Sequence, residues 1–188
     1  IVRTLPFFAM SLVLGLVNIW FQHHHAIGGD EVRPEGIASR IATVGWVVWF
    51  YLYKIVLPIN LAMIYPRWNI NGANPISYLP LLLLIAAFAV LFRYRKGWGR
   101  GLLAALGAYI IVLMPVLGLV DMSYARFSFV ADHLQYPGLP AALALMGAGL
   151  AAIWSWSRSA VNKAVAPLAT GLIVMFMLAL AVQTWRQA

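Results

Sequence analysis

Charged side chains are scarce in this sequence: they make up 10% of its 188 residues, whereas 63% of the residues are hydrophobic. A soluble globular domain has about 25% charged and about 45–50% apolar residues. So few charges cannot form a water-facing surface. The apolar residues also cluster into blocks near the roughly 20 residues that a helix needs to cross a bilayer. We therefore predict an integral membrane protein.

Cysteine is absent, which excludes disulfides and thiolate metal sites. Walker A, GxSxG, HExxH and dinucleotide-binding fingerprints are also missing, so soluble nucleotide chemistry has no support and no cofactor is expected. The formal charge is +8, but the basic residues flank apolar blocks instead of forming one patch. This distribution is typical of membrane topology signals and does not favour nucleic-acid binding.

The apolar blocks predict an all-α integral membrane protein with about six transmembrane helices. No internal repeat, low-complexity tract or linker separates them, so residues 1–188 are predicted to form a single polytopic membrane domain. The predicted spans are about 5–21, 41–61, 78–92, 101–120, 138–156 and 164–185.

The basic residues predict an orientation for these six spans. Loops 22–40, 93–100 and 157–163 would share one face and hold eight basic residues, against four on the other face. Because cytoplasmic loops are enriched in Lys and Arg, Arg93–Arg100 is predicted to be cytoplasmic. Asp121–Gln135 and the C-terminus would then lie on the periplasmic or lumenal side. If residues 41–61 were re-entrant, loop 22–40 would change sides.

One polar segment, Asp121–Gln135, lies between hydrophobic spans and contains two carboxylates, an Arg and a His. Ionisable groups at a membrane boundary are costly unless they are hydrated, paired or functional. One of the two Asp residues could act as a general base or orient a sugar hydroxyl, and Arg126 could bind a phosphate. The structural alternative is a loop held by an Asp–Arg pair and by carboxylate helix caps.

Lys54 lies inside the second predicted span, beside a stripe of aromatic residues. It could extend to the lipid headgroups or bind a lipid phosphate. The motif Tyr65–Trp68 contains Arg67 and is either an interfacial anchor or a clamp for a headgroup or sugar. We expect Lys54, Arg67 and Arg126 to form a cationic pocket at the external interface.

Three consecutive histidines, His23–His25, suggest a metal site at first sight. Consecutive residues do not share a helix face, whereas metal ligands are spaced so that they converge. We predict that these histidines bind no metal.

Three stretches resemble the membrane region of tetratricopeptide-repeat transmembrane O-mannosyltransferases and their bacterial relatives. They are GWVVWFYLYKIVLP at 45–58, the following Tyr65-Pro66, and RFSFVADHLQY at 126–136. Their order and spacing match over about residues 5–140. The sequence departs from the family pattern at Asp132-His133, where Glu-Arg is common, and after Tyr136.

The resemblance implies part of a C-type glycosyltransferase bundle that takes a sugar from a polyprenyl-phosphate donor on the non-cytoplasmic face. The catalytic acidic residues would lie upstream of Ile1 and the repeats after Ala188, so the catalytic residues within this chain are unknown. The implied candidates for binding the donor phosphate or the substrate are Lys54, Arg67, Arg126, Asp132, His133 and Tyr136.

Two functions follow as alternatives. The first is transfer of a sugar such as mannose to a protein hydroxyl in the inner membrane of a bacterium. The partners would be membrane lipid, the polyprenyl-phosphate sugar and a protein acceptor. The second is a non-catalytic membrane scaffold or an accessory subunit of a larger membrane complex.

Overall fold

A computed structural model describes residues 4–26, 32–159 and 165–187 of the chain. Within these ranges every regular element is helical and no strand occurs, which confirms the all-α prediction. The α-helices are α1 (Leu5–Phe21), α2 (Ile37–Val56), α3 (Leu79–Arg93), α4 (Gly99–Leu113), α5 (Leu139–Ser159) and α6 (Val165–Gln187).

Four helical stretches are long and apolar enough to cross a membrane: Pro75–Arg93, Gly99–Val116, Leu139–Arg158 and Ala166–Arg186. Helix α1 is apolar but shorter. Few of the residues in the four stretches are buried inside the protein, so their apolar side chains face outward as lipid contact requires. The chain is therefore a helical membrane protein, although four such stretches do not establish six spans.

Proline residues mark where these helices begin and end. Pro6, Pro80 and Pro140 lie in the first turns of α1, α3 and α5, where a missing backbone N–H breaks no helical hydrogen bond. Pro58 follows the end of α2, and its ring disfavours helical backbone at the preceding Leu57. Pro115 follows the end of α4 in a short 3₁₀ turn.

Helix α2 packs against the segment that joins α4 to α5. At its first turn, Arg40 Nη1 is 2.8 Å from Asp121 Oδ1. In its C-terminal half, the Tyr51 hydroxyl accepts a hydrogen bond from the backbone N–H of Ala131 at 3.1 Å. Both halves of α2 therefore contact the segment that joins α4 to α5.

The same end of the bundle holds the ends of the other helices. Gln22, after α1, accepts a hydrogen bond from Ser123 N–H through its side chain, and Gln183 near the end of α6 donates to the Pro58 carbonyl. We call α2, the extended segment 57–74 and the segment 114–138 together the cap. The turn 94–98, between α3 and α4, lies at the opposite end because α4 separates it from the cap.

Two helical stretches are shorter than the predicted spans. Helix α2 ends at Val56, before Pro58, where the prediction was about 41–61, and the stretch that begins at Gly99 ends at Val116, where the prediction was about 101–120. The described part of loop 22–40 lies beside the polar segment, since Arg40 contacts Asp121 and Arg33 Nη1 donates to Gly118 O at 2.7 Å. This is the arrangement expected if residues 41–61 do not cross the membrane.

Helices α2 and α3 touch at Gly45. A Cβ at this position would overlap the backbone nitrogen of Leu81 and would lie 2.7 Å from Leu81 Cα. Trp46 and Trp49 strengthen the same contact, since their indole N–H groups donate to the carbonyls of Ser77 and Pro80 at 3.0 and 2.9 Å. Only glycine allows this backbone approach, so Gly45 sets where the cap meets α3.

Replacing Gly45 by Ala should lower the thermal unfolding temperature in detergent, because the added methyl group meets backbone and not a flexible side chain. The expected cost is about 1–3 kcal/mol, the usual range for overpacking. Gly107→Ala in α4 is the matched control, since a Cβ there meets nothing within 4 Å. An unchanged unfolding temperature for Gly45→Ala would contradict the close approach of α2 and α3.

The placement of α2 can be tested by thiol labelling, because the chain has no native cysteine. Cysteines introduced at the exposed Ile37, where α2 begins, and at Ile59, just after it ends, should react with a membrane-impermeant maleimide from the same side of the membrane. A cysteine at Lys96 should react from the opposite side. Labelling of positions 37 and 59 from opposite sides would show that α2 crosses the bilayer.

Candidate functional site

Asp132 connects the two irregular segments of the cap. It begins the short 3₁₀ turn Asp132–Gln135 and is 6% exposed. Its Oδ2 accepts hydrogen bonds from the backbone N–H of Ala62 at 2.5 Å and from the hydroxyl of Tyr65 at 2.7 Å. One carboxylate oxygen therefore fastens the extended segment 57–74 to the segment 114–138. The carboxylate thus links two segments, whereas the structural role predicted for it was an Asp–Arg pair or a helix cap.

Tyr65 completes this connection. Burial and the adjacent Asp132 carboxylate raise the pKa of Tyr65 above its ordinary value, so the phenol remains a hydrogen-bond donor. Its backbone N–H donates to Ser128 Oγ at 3.2 Å, and Ser128 Oγ donates to the Val130 carbonyl at 2.7 Å. Irregular backbone at the end of a membrane bundle needs such partners, because no helix or sheet satisfies it.

Lys54 is buried beneath the same segment. Its ammonium Nζ donates to the carbonyls of Ile59 at 2.6 Å and Asn60 at 3.1 Å, and only 5% of the residue is exposed. Nζ also lies 5.0 Å from the ring centroid of Tyr65 and 5.5 Å from that of Phe50. Lys54 therefore does not extend to the lipid headgroups, which was one of its two predicted positions. Two neutral carbonyls use two of its three protons and leave its charge in place.

A cavity of about 290 Å³ opens where the cap meets α5 and α6. Its polar end contains Lys54, Asp132 and Gln135, and its remaining wall is mostly aliphatic. The residues that line it are Lys54, Ile55, Pro58, Leu61, Asp132, Gln135, Tyr136, Leu139, Leu143, Met146, Leu180 and Thr184. Ionisable side chains are thus combined with an apolar surface that continues along two lipid-facing helices.

Two acceptor atoms at the polar end lack a donor from the described chain. These are Asp132 Oδ1 and Gln135 Oε1, and both belong to residues that are at least 94% buried. In a 3₁₀ turn the side chains at positions i and i+3 eclipse each other, which brings Asp132 and Gln135 to the same side of the turn. Buried acceptors without partners cost free energy, so a hydrogen-bond donor is expected at this point.

A second polar cluster lies beside the start of α2. Glu35 is 3.4 Å from Arg33 Nε and 3.0 Å from Arg67 Nη2. Both guanidinium groups also lie over the ring of Phe129, at 4.4 and 5.1 Å from its centroid. Burial lowers the pKa of Arg33 and Glu35 opposes that shift. Arg67 is therefore bound to the Glu35 carboxylate, just before α2.

The predicted site residues divide into two groups. Lys54, Asp132 and Tyr136 line one cavity, whereas Arg67 and Arg126 do not line it. Arg126 is half-buried at the end of the turn Ser123–Arg126. The expected pocket of three cations is thus not built around Lys54, and the role of Arg126 in donor binding stays a prediction.

The histidines lie outside this cavity. The ring of His133 packs edge-on against Tyr124, with the centroids 5.6 Å apart. His24 Nδ1 donates to the Trp20 carbonyl at 2.9 Å, and its ring stacks on that indole. No three His, Cys, Asp or Glu side chains in ranges 4–26, 32–159 and 165–187 come close enough to hold a metal ion. The side chain of His23 lies outside the described residues, so the absence of metal stays a prediction.

Sequence reasoning missed Gln135 and the wall formed by α5 and α6. Gln135 lies three residues after Asp132, and this spacing becomes informative only when a 3₁₀ turn is recognised. Leu143 and Leu180 could not be found from the sequence, because a leucine that lines a cavity cannot be told from a leucine that faces lipid.

Comparison with known proteins adds no relative. The chain matches no family model, no curated protein and no solved structure.

Replacing Asp132 by Ala should lower the free energy of unfolding by about 2–3 kcal/mol, because two hydrogen bonds to a buried carboxylate are lost. Tyr65→Phe should cost about 1 kcal/mol alone and less in the Asp132→Ala background, since both changes break the Tyr65–Asp132 bond. The remainder reports the bonds of the Tyr65 hydroxyl to Ala62 N–H and the Asn60 carbonyl. Thermal unfolding of the single and double variants in detergent measures this coupling.

Asp121→Ala is the matched control for that cycle. Asp121 pairs with Arg40, but its side chain is 39% exposed. An ion pair of this exposure contributes at most about 1 kcal/mol. Equal destabilisation by Asp121→Ala and Asp132→Ala would contradict the special role of Asp132.

Proposed function

We propose that this chain is the membrane part of a glycosyltransferase-like protein that uses a polyprenyl-phosphate sugar for protein O-glycosylation. The observation that carries the proposal is the cavity between the cap, α5 and α6. A substrate with a phosphate, a sugar and a long hydrocarbon chain needs a polar end and an apolar wall in one site. This cavity combines both within about 290 Å³.

Lys54 is the candidate partner of the phosphate. Its ammonium group is buried, is held in place by two carbonyls, and retains one proton for a further acceptor. A charge-assisted hydrogen bond to phosphate would compensate part of the cost of removing this cation from water. The alternative is that Lys54 only stabilises the turn after α2 through its two hydrogen bonds to carbonyls.

The wall formed by α5 and α6 suits the hydrocarbon chain. Leu143 is 48% exposed, and α6 has no residue in its most apolar window that is buried inside the protein. A prenyl chain could therefore enter this wall directly from the bilayer. The contact would be mainly dispersion, because lipid tails are as apolar as these side chains.

The proposed orientation places the cap on the periplasmic side of a bacterial inner membrane. The opposite end of the bundle carries Arg93, Arg95, Lys96 and Arg100, and the described residues there include no carboxylate to offset them. Such a cluster favours the cytoplasm. A donor sugar would then reach the cap from the outer leaflet, with the tetratricopeptide repeats and the catalytic acidic residues supplied by other parts of the protein.

The second candidate function is a non-catalytic membrane scaffold or accessory subunit. One observation favours it: Asp132 and Lys54 hold segments of the cap together, and Arg67 holds the cap to Glu35 before α2. Side chains that stabilise the fold in this way require no substrate to explain them. Ligand binding separates the two functions, because only the first requires a lipid-linked sugar in the cavity.

Lys54→Met should weaken binding of a polyprenyl-phosphate hexose about tenfold, since it removes the phosphate's cation, a change of about 1.4 kcal/mol. Leu143→Trp should weaken binding by the same factor, because the larger side chain fills the space beside the apolar wall. It leaves the hydrogen bonds of Lys54 and Asp132 unchanged. Native mass spectrometry of the purified protein, titrated with the lipid against excess phosphatidylglycerol, measures both effects.

Lys96→Met is the matched control, because Lys96 is an exposed lysine at the opposite end of the bundle. It should leave binding unchanged. Undiminished binding in both Lys54→Met and Leu143→Trp would reject the cavity as the lipid site and favour the scaffold.

A further inference from the structure

The short turn 94–98, between α3 and α4, lies at the depth of the lipid headgroups. The membrane-length stretches on its two sides end at Arg93 and begin at Gly99. The headgroup region adds about 5–8 Å to each side of the hydrocarbon core, so a turn this short stays within it. Tyr94 and Trp98 are exposed and stack on each other with their centroids 5.3 Å apart, as suits aromatic residues at an interface.

Basic side chains are concentrated at this turn. The exposed cations here are Arg93, Arg95, Lys96 and Arg100. Every ion pair among the described residues involves Glu35 or Asp121, at the opposite end of the bundle. Like charges this close repel one another, and the repulsion is stronger beside a hydrocarbon layer than in bulk water. An anion bound among them would remove this repulsion.

Three of these cations form a cleft with Phe92. Its volume is about 310 Å³, and it is lined by Phe92, Arg93, Arg95 and Lys96. The guanidinium carbon of Arg95 lies 3.9 Å from the ring centroid of Phe92. A cation–π contact positions the guanidinium group without an oxygen acceptor, so its N–H groups remain for phosphate oxygens. Because the three cations are exposed, a ligand at the membrane surface can reach them.

The backbone of the turn is held by its own hydrogen bonds. The Tyr94 carbonyl accepts from the N–H groups of Gly97 at 3.0 Å and Gly99 at 3.3 Å. A Cβ at Gly99 would lie 2.8 Å from the Leu91 carbonyl oxygen, so the close approach where α4 begins requires glycine. Arg100 follows in the first turn of α4, which contains no acidic residue and has no side-chain cap. A helix start favours negative charge, and here the first turn supplies none.

We propose that this cleft binds the headgroup of an anionic phospholipid that carries two phosphate groups. A phosphodiester has one negative charge, so a lipid with a single phosphate leaves most of the charge of Arg93, Arg95 and Lys96 without a counterion. Each guanidinium group can form paired hydrogen bonds to a phosphate, and Lys96 adds a point charge. Basic pockets between transmembrane helices are typical sites for such lipids.

This inference goes beyond the proposed function. It holds for a transferase and for a scaffold alike, because no residue of the cavity beside Lys54 takes part. The bound lipid would contact the end of α3 and the turn that leads into α4. Since it binds the folded protein, it should also raise the unfolding temperature.

The test uses the purified protein in detergent, where lipid binding is separated from membrane orientation. The probes are cardiolipin with two phosphates, phosphatidylglycerol with one, and inorganic phosphate without a lipid. Native mass spectrometry measures the affinity for each lipid. Thermal unfolding with and without cardiolipin gives a second readout, and inorganic phosphate is added as a competitor.

Cardiolipin should bind about fivefold more tightly than phosphatidylglycerol, because its second phosphate engages one further cation. Arg95→Gln should weaken cardiolipin binding about fivefold, and Arg93→Gln/Arg95→Gln about twenty-fivefold. The unfolding temperature without lipid should not change, since both side chains are exposed. Phosphatidylglycerol in excess occupies this cleft when the polyprenyl lipid is titrated, so Lys96→Met remains a control for the cavity beside Lys54.

Arg158→Gln is the matched control. Arg158 is an exposed arginine at the end of α5 away from the cap, and its guanidinium carbon lies 4.9 Å from the ring centroid of Trp154. It therefore shares its charge, its end of the bundle and its aromatic contact with Arg95, but it does not line the cleft. The preference for cardiolipin should be unchanged in this variant.

Four results would overturn the proposal. Equal losses in Arg158→Gln and Arg95→Gln would show that binding follows total charge and not the cleft. Equal affinity of the unmodified protein for both lipids would reject a headgroup with two phosphates. Displacement of cardiolipin by inorganic phosphate at an equal concentration of phosphate groups would identify a site for a free anion. Undiminished cardiolipin binding in Arg93→Gln/Arg95→Gln would leave these cations with a role in membrane orientation only.

Discussion

The whole cap depends on one requirement: irregular backbone at the end of a membrane bundle must find hydrogen-bond partners within the protein. The segment 57–74 is neither helix nor sheet over most of its length. Asp132 and Ser128 accept from its N–H groups, and Lys54 donates to its carbonyls. Without these three side chains the segment would have to be solvated, and α2 could not lie buried beneath it.

Polar contacts of this kind also explain why charged side chains are buried in a protein that has few charged residues. Each buried charge carries a desolvation cost that only close polar partners can offset. Glu35 connects Arg33 to Arg67, which brings the start of α2 to the segment 57–74. The outer edge of α2 then presents Trp46, Trp49 and Tyr53, each 40–45% exposed, as is typical of a helix at a membrane interface.

The candidate site follows from how this polar cap meets apolar helices. The cap supplies rigid polar atoms, because its side chains are already held by hydrogen bonds, and α5 and α6 supply aliphatic surface that continues into the bilayer. Asp132 stabilises the cap through Oδ2, which a scaffold would also need. The cavity that joins polar and aliphatic residues is the feature of the structure that favours a ligand.

The sequence by itself determined that this is a helical membrane protein, because hydrophobicity and length follow directly from composition. It also singled out Lys54 and Asp132, since ionisable residues stand out in an apolar chain. It did not determine the position of α2, because an interfacial helix and a spanning helix share an apolar, aromatic composition. Only the tertiary structure decided which cations have carboxylate partners and that Gln135, Leu143 and Leu180 share a cavity with Lys54, since these contacts join residues up to about 130 positions apart. Such long-range contacts depend on helix packing, and local sequence patterns do not encode them.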